Sequence, residues 1–278
     1  MTAKTKASTN ATDAAPTYAS DTAKYVDVTE IAGDEISNEQ LERMCDRYYW
    51  AKAYCEGKDV IEGGCGTGPG LGYLKAFSKS LKGFDVSEEV LAAPRQHYGD
   101  RVEILTADAM NMPFPDNSAD TILLYEALYY VPEAEKFLID AARVLRPGGH
   151  LLIVTANKDL YDFNPSPHSH RYLGTVELKN ELEAKGYEIV EMAGGTPLEK
   201  LSMKQRVLRP VKKIVVNLGL MPKTMAGKKL LKRLVFGKMV QMPAEITADM
   251  CEYTKPSPIK ADEPNQSHKV IYCAARLK

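Results

Sequence analysis

The glycine-rich run at residues 59–68 is the part of the sequence best suited to hold a ligand. It reads Asp-Val-Ile-Glu-Gly-Gly-Cys-Gly-Thr-Gly, so a short β-branched strand ends in an acid and a loop follows with three spaced glycines, Gly64, Gly66 and Gly68. Glycine allows a sharp turn and a close approach of the backbone to a ligand. Pro69 suits the first position of a following helix, because its missing N–H would be unpaired there.

The spacing of these glycines separates the ligand classes. A dinucleotide fingerprint, Gly-x-Gly-x-x-Gly, needs its last glycine where this sequence has Pro69 or Leu71, which disfavours NAD and FAD. No Lys-Ser/Thr pair follows the loop, which excludes a Walker A phosphate loop. A glycine-rich turn that holds no ligand stays open as the alternative.

Two aspartates are placed to recognise a nucleoside. Asp85 ends the second expected strand, near the spacing of about twenty residues at which a carboxylate receives ribose hydroxyls. Its alternative role is a helix cap, which Ser87 can also serve. Asp108 follows the third strand and can accept adenine amino hydrogens, with Ala109 and Met110 bordering the ring. Its alternative is an exposed turn aspartate.

Side chains able to accept a proton lie further along the chain. His168 and His170, in a Pro-rich loop after the fifth strand, are the leading candidates for a general base, and Glu126 is a weaker one. Ordinary surface histidines are the alternative. A His-x-His pair also suggests a metal, but no carboxylate or cysteine stands beside it, so we expect none. Asn157 is placed to orient a substrate.

The elements that must position these residues alternate along the chain. Strands are expected at 58–63, 81–85, 102–105, 119–124 and 149–155, and helices at 37–54, 70–80, 87–98, 133–145 and 175–185. This alternation predicts an α/β fold with a doubly wound parallel sheet covered on both faces. Parallel strands place their carboxyl ends, and therefore these candidates, at one edge of the sheet.

Composition limits the classes of protein. The chain has 278 residues and a formal net charge of −1, which gives it no overall nucleic-acid signature, and no apolar run reaches membrane-spanning length. Residues 1–20, rich in Ala, Thr and Ser, predict a disordered tail. The five cysteines are scattered, which favours reduced thiols and a cytoplasmic location.

A basic segment stands out against this balance. Residues 200–244 contain twelve Lys or Arg and no acid, with apolar residues between the bases, which predicts amphipathic helices. One interpretation is a lid over the acceptor that suits an anionic small molecule. The others are contact with a membrane surface, contact with RNA, which the missing aromatics disfavour, and a plain solvated face.

Several motifs together resemble the class I S-adenosylmethionine (SAM)-dependent methyltransferases. The resemblance covers roughly residues 58–194 and the final strand, and rests on Glu62-x-Gly64-x-Gly66-x-Gly68, Asp85, Asp108, Pro113–Asp116, Asp120 and Leu145–Gly149. Gly63 departs from the family pattern, which usually has an apolar residue there. Residues 33–37 and 47–49 are similar to those of small-molecule and sugar-type methyltransferases of bacterial biosynthetic clusters.

The resemblance implies a fold and an activity. The fold is a Rossmann-like, seven-stranded, mostly parallel sheet with an antiparallel last strand and a helical insertion. The activity is methyl transfer from SAM to an oxygen or nitrogen of a small molecule, such as a sugar or glycan precursor or a natural-product intermediate. The alternatives are a non-catalytic SAM-binding or scaffold subunit and a membrane-peripheral methyltransferase with a lipid-linked acceptor. Nucleic acid is not expected, because Leu124–Ala127 lacks the Asn/Asp-Pro-Pro-Tyr/Phe signature.

Residues and resemblance together predict three groups of site residues and five parts of the chain. The cofactor is expected to contact Glu62, Gly64, Cys65, Gly66, Gly68, Asp85, Val86, Asp108, Ala109, Met110, Tyr125, Tyr130 and Arg47, whose guanidinium suits the methionine carboxylate. The expected catalytic residues are His168, His170 and Tyr129, and the expected substrate residues are Tyr48, Glu126, Asn157, Arg171 and Tyr172. The parts are a tail (1–20), a helical cap (21–57), a SAM-binding core (58–195), a basic insertion or lid (196–268) and a final strand (269–278).

Overall fold

One large sheet with helices on both faces dominates the computed structural model, which describes residues 25–26, 28–200, 210 and 239–278. Its strands are β1 (Glu35–Ser37), β2 (Asp59–Gly63), β3 (Ser80–Asp85), β4 (Glu103–Thr106), β5 (Ala119–Tyr125), β6 (Leu145–Ala156), β7 (Tyr187–Pro197), β8 (Met239–Gln241), β9 (Ser257–Pro258) and β10 (His268–Leu277). Its helices are α1 (Asn38–Cys55), α2 (Leu71–Lys75), α3 (Glu88–Tyr98), α4 (Ala134–Val144) and α5 (Thr175–Ala184). The predicted tail, and most of the basic segment with its predicted amphipathic helices, lie outside the described residues.

Eight of the described strands form the large sheet, in the order β4-β3-β2-β5-β6-β10-β7-β9. β2 to β6 pair in parallel, and β10 runs antiparallel between β6 and β7. The mostly parallel sheet with an antiparallel last strand is therefore confirmed. The eighth strand, β9, is an unpredicted two-residue edge strand antiparallel to β7. It contains Pro258, a residue confined to edges because it cannot donate to a ladder.

The sheet separates two hydrophobic cores. Successive side chains along a strand point to opposite faces, so Val60 packs in the core beneath α1, α2 and α3, and Ile61 packs in the core beneath α4 and α5. Leu123 and Leu124 divide between the two cores in the same way. Central parallel strands are buried on both faces, which explains their runs of consecutive apolar residues.

Helix α1 begins at a capping box. The Ser37 hydroxyl accepts a hydrogen bond from the Gln40 N–H at 3.2 Å, and the Gln40 side chain accepts one from the Ser37 N–H at 3.0 Å. The helix then lays Met44 and Trp50 into the core. The cap thus determines which residues of the second and third turns face the sheet.

Helix α2 is shorter than the expected helix over 70–80. After Lys75 the chain turns, because the N–H groups of Lys79 and Ser80 both donate to the Lys58 carbonyl, at 2.9 and 3.3 Å. These bonds bring the chain into β3 beside β2. The helix therefore ends at a contact between neighbouring strands that its own sequence does not signal.

The described end of the predicted insertion packs beside the glycine loop. Met242 accepts a hydrogen bond from the Gly33 N–H and donates one to the Asp34 carbonyl, both at 2.8 Å. The Ile246 N–H donates to the Pro69 carbonyl at 2.7 Å. This stretch is thereby anchored to both the N-terminal segment and the loop. None of the helices in the described ranges is long and apolar enough to cross a bilayer.

Candidate active site

A crevice opens at the carboxyl ends of the central parallel strands. Its walls are formed by residues that end or follow β2, β3, β4 and β5, together with Tyr25 from the N-terminal segment. The predicted cofactor residues that line it are Gly64, Asp85, Val86, Ala109 and Tyr130. The fold therefore brings together residues that are up to 66 positions apart in the chain.

Two close approaches shape the glycine loop. Gly64 has a φ of +59°, and a Cβ there would lie only 2.7 Å from the Cβ of Ala127, in the turn after β5. A Cβ at Gly70 would overlap the ring of Tyr48 on α1. Glycine is the residue that fits both positions, because it has no side chain to displace these neighbours.

Hydrogen bonds attach the rest of the loop to β3 and α3. Cys65 is buried, and its N–H donates to the Phe84 carbonyl at 3.0 Å. The Gly68 carbonyl accepts a hydrogen bond from the Tyr98 hydroxyl at 2.8 Å. The loop is therefore held in shape from within the protein.

Asp85 lies at the centre of the crevice wall. One of its carboxylate oxygens accepts from the Gly66 N–H and the other from the Ser87 N–H, both at 3.0 Å. Burial raises the pKa of this carboxyl, and the backbone donors oppose that rise. Each oxygen keeps a further lone pair, so Asp85 can accept hydroxyl hydrogens from a ligand while it holds the loop.

Asp108 shapes the turn that follows β4. Its side chain accepts a hydrogen bond from the Met110 N–H at 2.8 Å, and the residue forms an isolated bridge with Asn111. Ala109, between them, lines the crevice, whereas Met110 stands half-buried beside it. The turn is therefore built to present its apex to the crevice.

A buried cluster joins α1 to the end of β2. The Tyr48 hydroxyl donates to Glu62 Oε1 at 2.6 Å, and the Tyr48 ring meets the Tyr125 ring edge-on at 5.5 Å. Burial raises the pKa of Glu62 to about 7, against the opposing effects of the Tyr48 hydrogen bond and of the Arg47 charge. The Tyr48 ring also lies against Gly70, beside the glycine loop, and its predicted contact with a substrate stays a prediction.

The same cluster contains unsatisfied polar atoms. Within the described part of the chain, three buried side-chain atoms have no hydrogen-bond partner: Arg47 Nε, Glu62 Oε2 and the Tyr125 hydroxyl. Unpaired buried polar atoms are costly and rare, so three in one cluster point to a missing partner that carries both donors and acceptors. Burial opposes the charge of Arg47, but nearby groups, Glu126 among them, raise its pKa on balance.

Aromatic residues gather where the segments after β5 and β6 meet. Tyr129 stacks on Tyr172 with ring centroids 4.2 Å apart, and its hydroxyl donates to Glu126 at 3.0 Å. Glu126 has a φ of +51°, an uncommon and strained conformation for a non-glycine residue that recurs at functional sites. Burial and then the Glu126 charge keep the pKa of Tyr129 well above its usual value. Tyr129 is therefore protonated near neutral pH, so it can donate a hydrogen bond but cannot act as the base.

The remaining predicted residues lie on the loop after β6. His168 and His170 are exposed, and the His170 N–H donates to the Tyr129 carbonyl at 2.7 Å. Arg171 is also exposed and pairs with Glu181 at 2.9 Å. Their contact with a substrate stays a prediction.

Asn157 has a structural position instead. It is buried, and its amide donates to the carbonyls of Asn265 and His268 at 2.7 and 2.8 Å and accepts from the Asp159 N–H at 3.0 Å. Its hydrogen-bonding groups are thus used to join two loops, which leaves little for the substrate contact that we predicted.

Sequence reasoning missed two features of the site. Tyr25 lines the crevice, and its ring meets Tyr130 edge-on at 5.7 Å; no local signal marks it, because the contact spans 105 positions. The second is the reason for Gly63. A Cβ there would lie 2.7 Å from the ring of Phe84, so a bulky aromatic on β3 explains the departure from the family pattern. Among the described residues, no group of His, Cys, Asp and Glu is arranged to hold a metal ion.

Comparison with protein families gives a match at the centre of this site. The model described as a methyltransferase domain matches residues 61–153, which include the glycine loop, Asp85, Asp108 and Glu126.

Curated relatives match a somewhat longer part of the chain. A probable S-adenosylmethionine-dependent methyltransferase of Mycolicibacterium smegmatis is 32% identical over 165 residues, which are 54% of this chain and 64% of the relative. The fatty-acid O-methyltransferase of the same organism is 38% identical over 132 residues, 46% of this chain and 47% of that protein. The match thus spans less than two thirds of the length of these relatives.

Solved structures match over a wider range. A SAM-dependent methyltransferase from Aquifex aeolicus superimposes with a TM-score of 0.51 and 26% identity, covering 63% of this chain and 92% of that chain.

Proposed function

We propose that this chain is a class I SAM-dependent methyltransferase, which binds SAM in the crevice and catalyses methyl transfer to an oxygen or nitrogen of a small molecule. The matches to a methyltransferase domain over residues 61–153 and to SAM-dependent methyltransferases support this proposal. The observation that carries the proposal is the group of three unpartnered buried atoms beside the glycine loop. The amino-acid end of SAM has a carboxylate and an ammonium group. It therefore supplies an acceptor for Arg47 Nε and a donor for Glu62 Oε2, which are the two kinds of partner that the cluster lacks.

The other half of the cofactor suits the rest of the crevice. The Asp85 carboxylate has lone pairs left for the ribose hydroxyls, and the turn at Asp108 and Ala109 borders the space for adenine. The unusual pKa of Glu62 supports this arrangement. A carboxyl group that is costly to ionise when alone becomes favourable to ionise when a cation lies beside it.

The main task of the protein in this reaction is to align the acceptor with the methyl group. SAM supplies a methyl carbon that is already electrophilic, so the residues of this chain must orient the acceptor in line with it and take up a proton where the acceptor has one. Glu126, which directly follows β5, is the proton acceptor that we favour, because the hydrogen bond from Tyr129 orients its carboxylate. The Tyr129–Tyr172 stack provides a flat apolar wall for the acceptor.

The proposed acceptor is an oxygen-bearing small molecule. We favour a hydroxyl or carboxyl oxygen of a biosynthetic intermediate, including a sugar or glycan precursor. The relative named as a fatty-acid O-methyltransferase adds long-chain acids to the acceptors worth testing. We place the enzyme in the cytoplasm, and its five cysteines, all free thiols in the structure, suit a reducing compartment.

Calorimetric titration with two ligands tests the cofactor proposal. S-Adenosylhomocysteine contains the amino-acid end, whereas 5′-methylthioadenosine lacks it. We expect Arg47→Met to weaken binding of the first about tenfold or more and to leave the second nearly unchanged. The matched control is Arg276→Met, which removes the same charge from the opposite end of the sheet. Equal effects of Arg47→Met on both ligands would remove the assignment of Arg47.

A radioactive methyl-transfer screen tests the activity. Acceptors should include nucleotide sugars, glycosides, phenols and fatty acids, with [methyl-³H]SAM as the donor. Transfer to any of them supports the proposal. Tight binding of S-adenosylhomocysteine with no transfer to any acceptor would instead favour a non-catalytic SAM-binding subunit.

A further inference from the structure

A second cavity lies on the outer side of α1, away from the crevice. It is a groove of about 660 Å³ between α1, α2, β7 and the stretch at 248–255, and none of its lining residues also lines the crevice. We call it the aromatic groove, because five of its lining residues are Tyr49, Trp50, Tyr54, Tyr73 and Tyr253. The proposed methyl-transfer chemistry makes no use of it.

The rings of the aromatic groove support one another. Tyr49 contacts Tyr73 with centroids 5.2 Å apart and Tyr253 edge-on at 6.0 Å, while Trp50 contacts Tyr54 at 5.3 Å. Tyr253 is 42% exposed, although large aromatic side chains usually bury more of their surface. The groove is therefore an ordered aromatic wall with an open side.

The carboxylate of Glu191 lies among the rings of the aromatic groove. The Trp50 indole N–H donates to Glu191 Oε2 at 3.1 Å, and the Tyr54 hydroxyl donates to the same oxygen at 2.6 Å. Across the described residues, Glu191 Oε1 receives no hydrogen bond. The aromatic rings thus orient one oxygen of the carboxylate and leave its other oxygen available to a ligand.

The charges around the groove favour a cation at its floor. Lys52, Lys255 and Glu56 also line it, but all three are exposed side chains at the rim, whereas Glu191 is half-buried. Burial, and then the carboxylates of Asp46 and Glu191, raise the pKa of Tyr253 to about 12. The half-buried carboxylate of Glu191 therefore lies among the rings, whereas the two lysines that line the groove are exposed to solvent.

We propose that the aromatic groove is a second ligand site, which takes a small organic cation with a substituted ammonium group. The faces of aromatic rings carry partial negative charge and attract such a cation. A nearby carboxylate adds a charge–charge attraction. Methyl groups that pack against aromatic rings are also removed from water, which is favourable. Methylated ammonium ions therefore bind better than inorganic cations. A neutral molecule of the same shape gains only the apolar part.

Tryptophan fluorescence tests this site directly, since Trp50 is the only tryptophan of the chain. The probes are choline and its neutral isostere 3,3-dimethylbutan-1-ol, titrated into the full chain at constant ionic strength with potassium chloride. We expect a saturable change in Trp50 emission with choline, and binding of the neutral isostere about tenfold or more weaker. The choline response must persist with saturating S-adenosylhomocysteine, which would occupy the crevice.

Two variants and a control make the test specific. Glu191→Gln keeps an oxygen for the Trp50 and Tyr54 donors and should weaken choline binding about tenfold. Tyr253→Ala removes the exposed wall without touching the core and should weaken it as well. Glu188→Gln, which removes an exposed carboxylate of the same strand, should have no effect. No saturable response, equal binding of the neutral isostere, or unchanged binding in both groove variants would overturn the proposal.

Discussion

Glu62 makes the stability of the cofactor-free protein depend on pH in a direction that most acids do not. Burial raises the pKa of its carboxyl from the usual 4.5 to about 7. A raised pKa means that the folded state favours the protonated acid, so this carboxyl contributes most to stability at low pH. That contribution is lost as the pH rises from about 4.5 through about 7, and it is absent above that range.

Glutamine at this position isolates the effect. Glu62→Gln has the same shape, still accepts the Tyr48 hydroxyl, and cannot ionise. A pKa rise of that size corresponds to about 3 kcal/mol between the protonated and the ionised folded states. We expect the stability of the variant relative to the wild type to increase by about 2–3 kcal/mol between about pH 5 and about pH 8.

Urea unfolding of the cofactor-free protein at both pH values measures this difference. Glu89→Gln is the matched control, because it removes an exposed carboxylate and should change the free energy of unfolding equally little at both. A relative stability that is the same at both pH values would refute the reasoning. It would mean that the Glu62 charge is already compensated in the empty protein, and that the unpartnered oxygen is not costly.

Three further predictions concern the crevice. Asp85→Ala should weaken S-adenosylhomocysteine binding by about 1–3 kcal/mol in calorimetry, because the carboxylate accepts hydrogen bonds that alanine cannot; unchanged affinity would remove the ribose assignment. Gly70→Ala should lower the free energy of unfolding by about 1–3 kcal/mol in urea titrations, because its methyl group would displace the Tyr48 ring; equal stability would show that α1 can shift at no cost. Once an acceptor is found, Glu126→Gln should lower kcat strongly, because it removes the proton acceptor, whereas Tyr129→Phe, which keeps the Glu126 carboxylate, should lower kcat less. The reverse pattern would exchange their roles.

The sheet could be predicted because its signals are local. Each central strand carries consecutive apolar residues, glycine or an acidic residue ends or follows each of β2 to β5, and the alternation of strands and helices implies parallel pairing. The start of α1 was equally readable, since Ser37 and Gln40 form their capping box within four residues. Strand β9 could not be predicted. It has only two residues, too few for a pattern, and it depends on pairing with β7, which is distant in the chain.

The site, like the sheet, could be predicted only where local sequence signals mark its residues. Gly64, Asp85 and Ala109 line the crevice because each follows a strand end, and strand ends are predictable. The contact of Tyr48 with Glu62 could not be predicted from the sequence, because it depends on how α1 rotates against the sheet. The rotation of a helix about its axis depends on packing along its whole length, so the residues of one helical turn do not determine it.

The rotation of α1 also links the two cavities of this protein. Tyr48 and Tyr49 are neighbours in sequence, yet the first points inward to Glu62 and the second lines the aromatic groove. Gly70 has no room for a side chain against Tyr48, and Tyr73, one turn further along α2, packs on Tyr49. A ligand that moved α1 at either cavity would therefore move a tyrosine at the other. Cofactor affinity measured with and without choline would report that coupling, since any coupling between two sites acts equally in both directions.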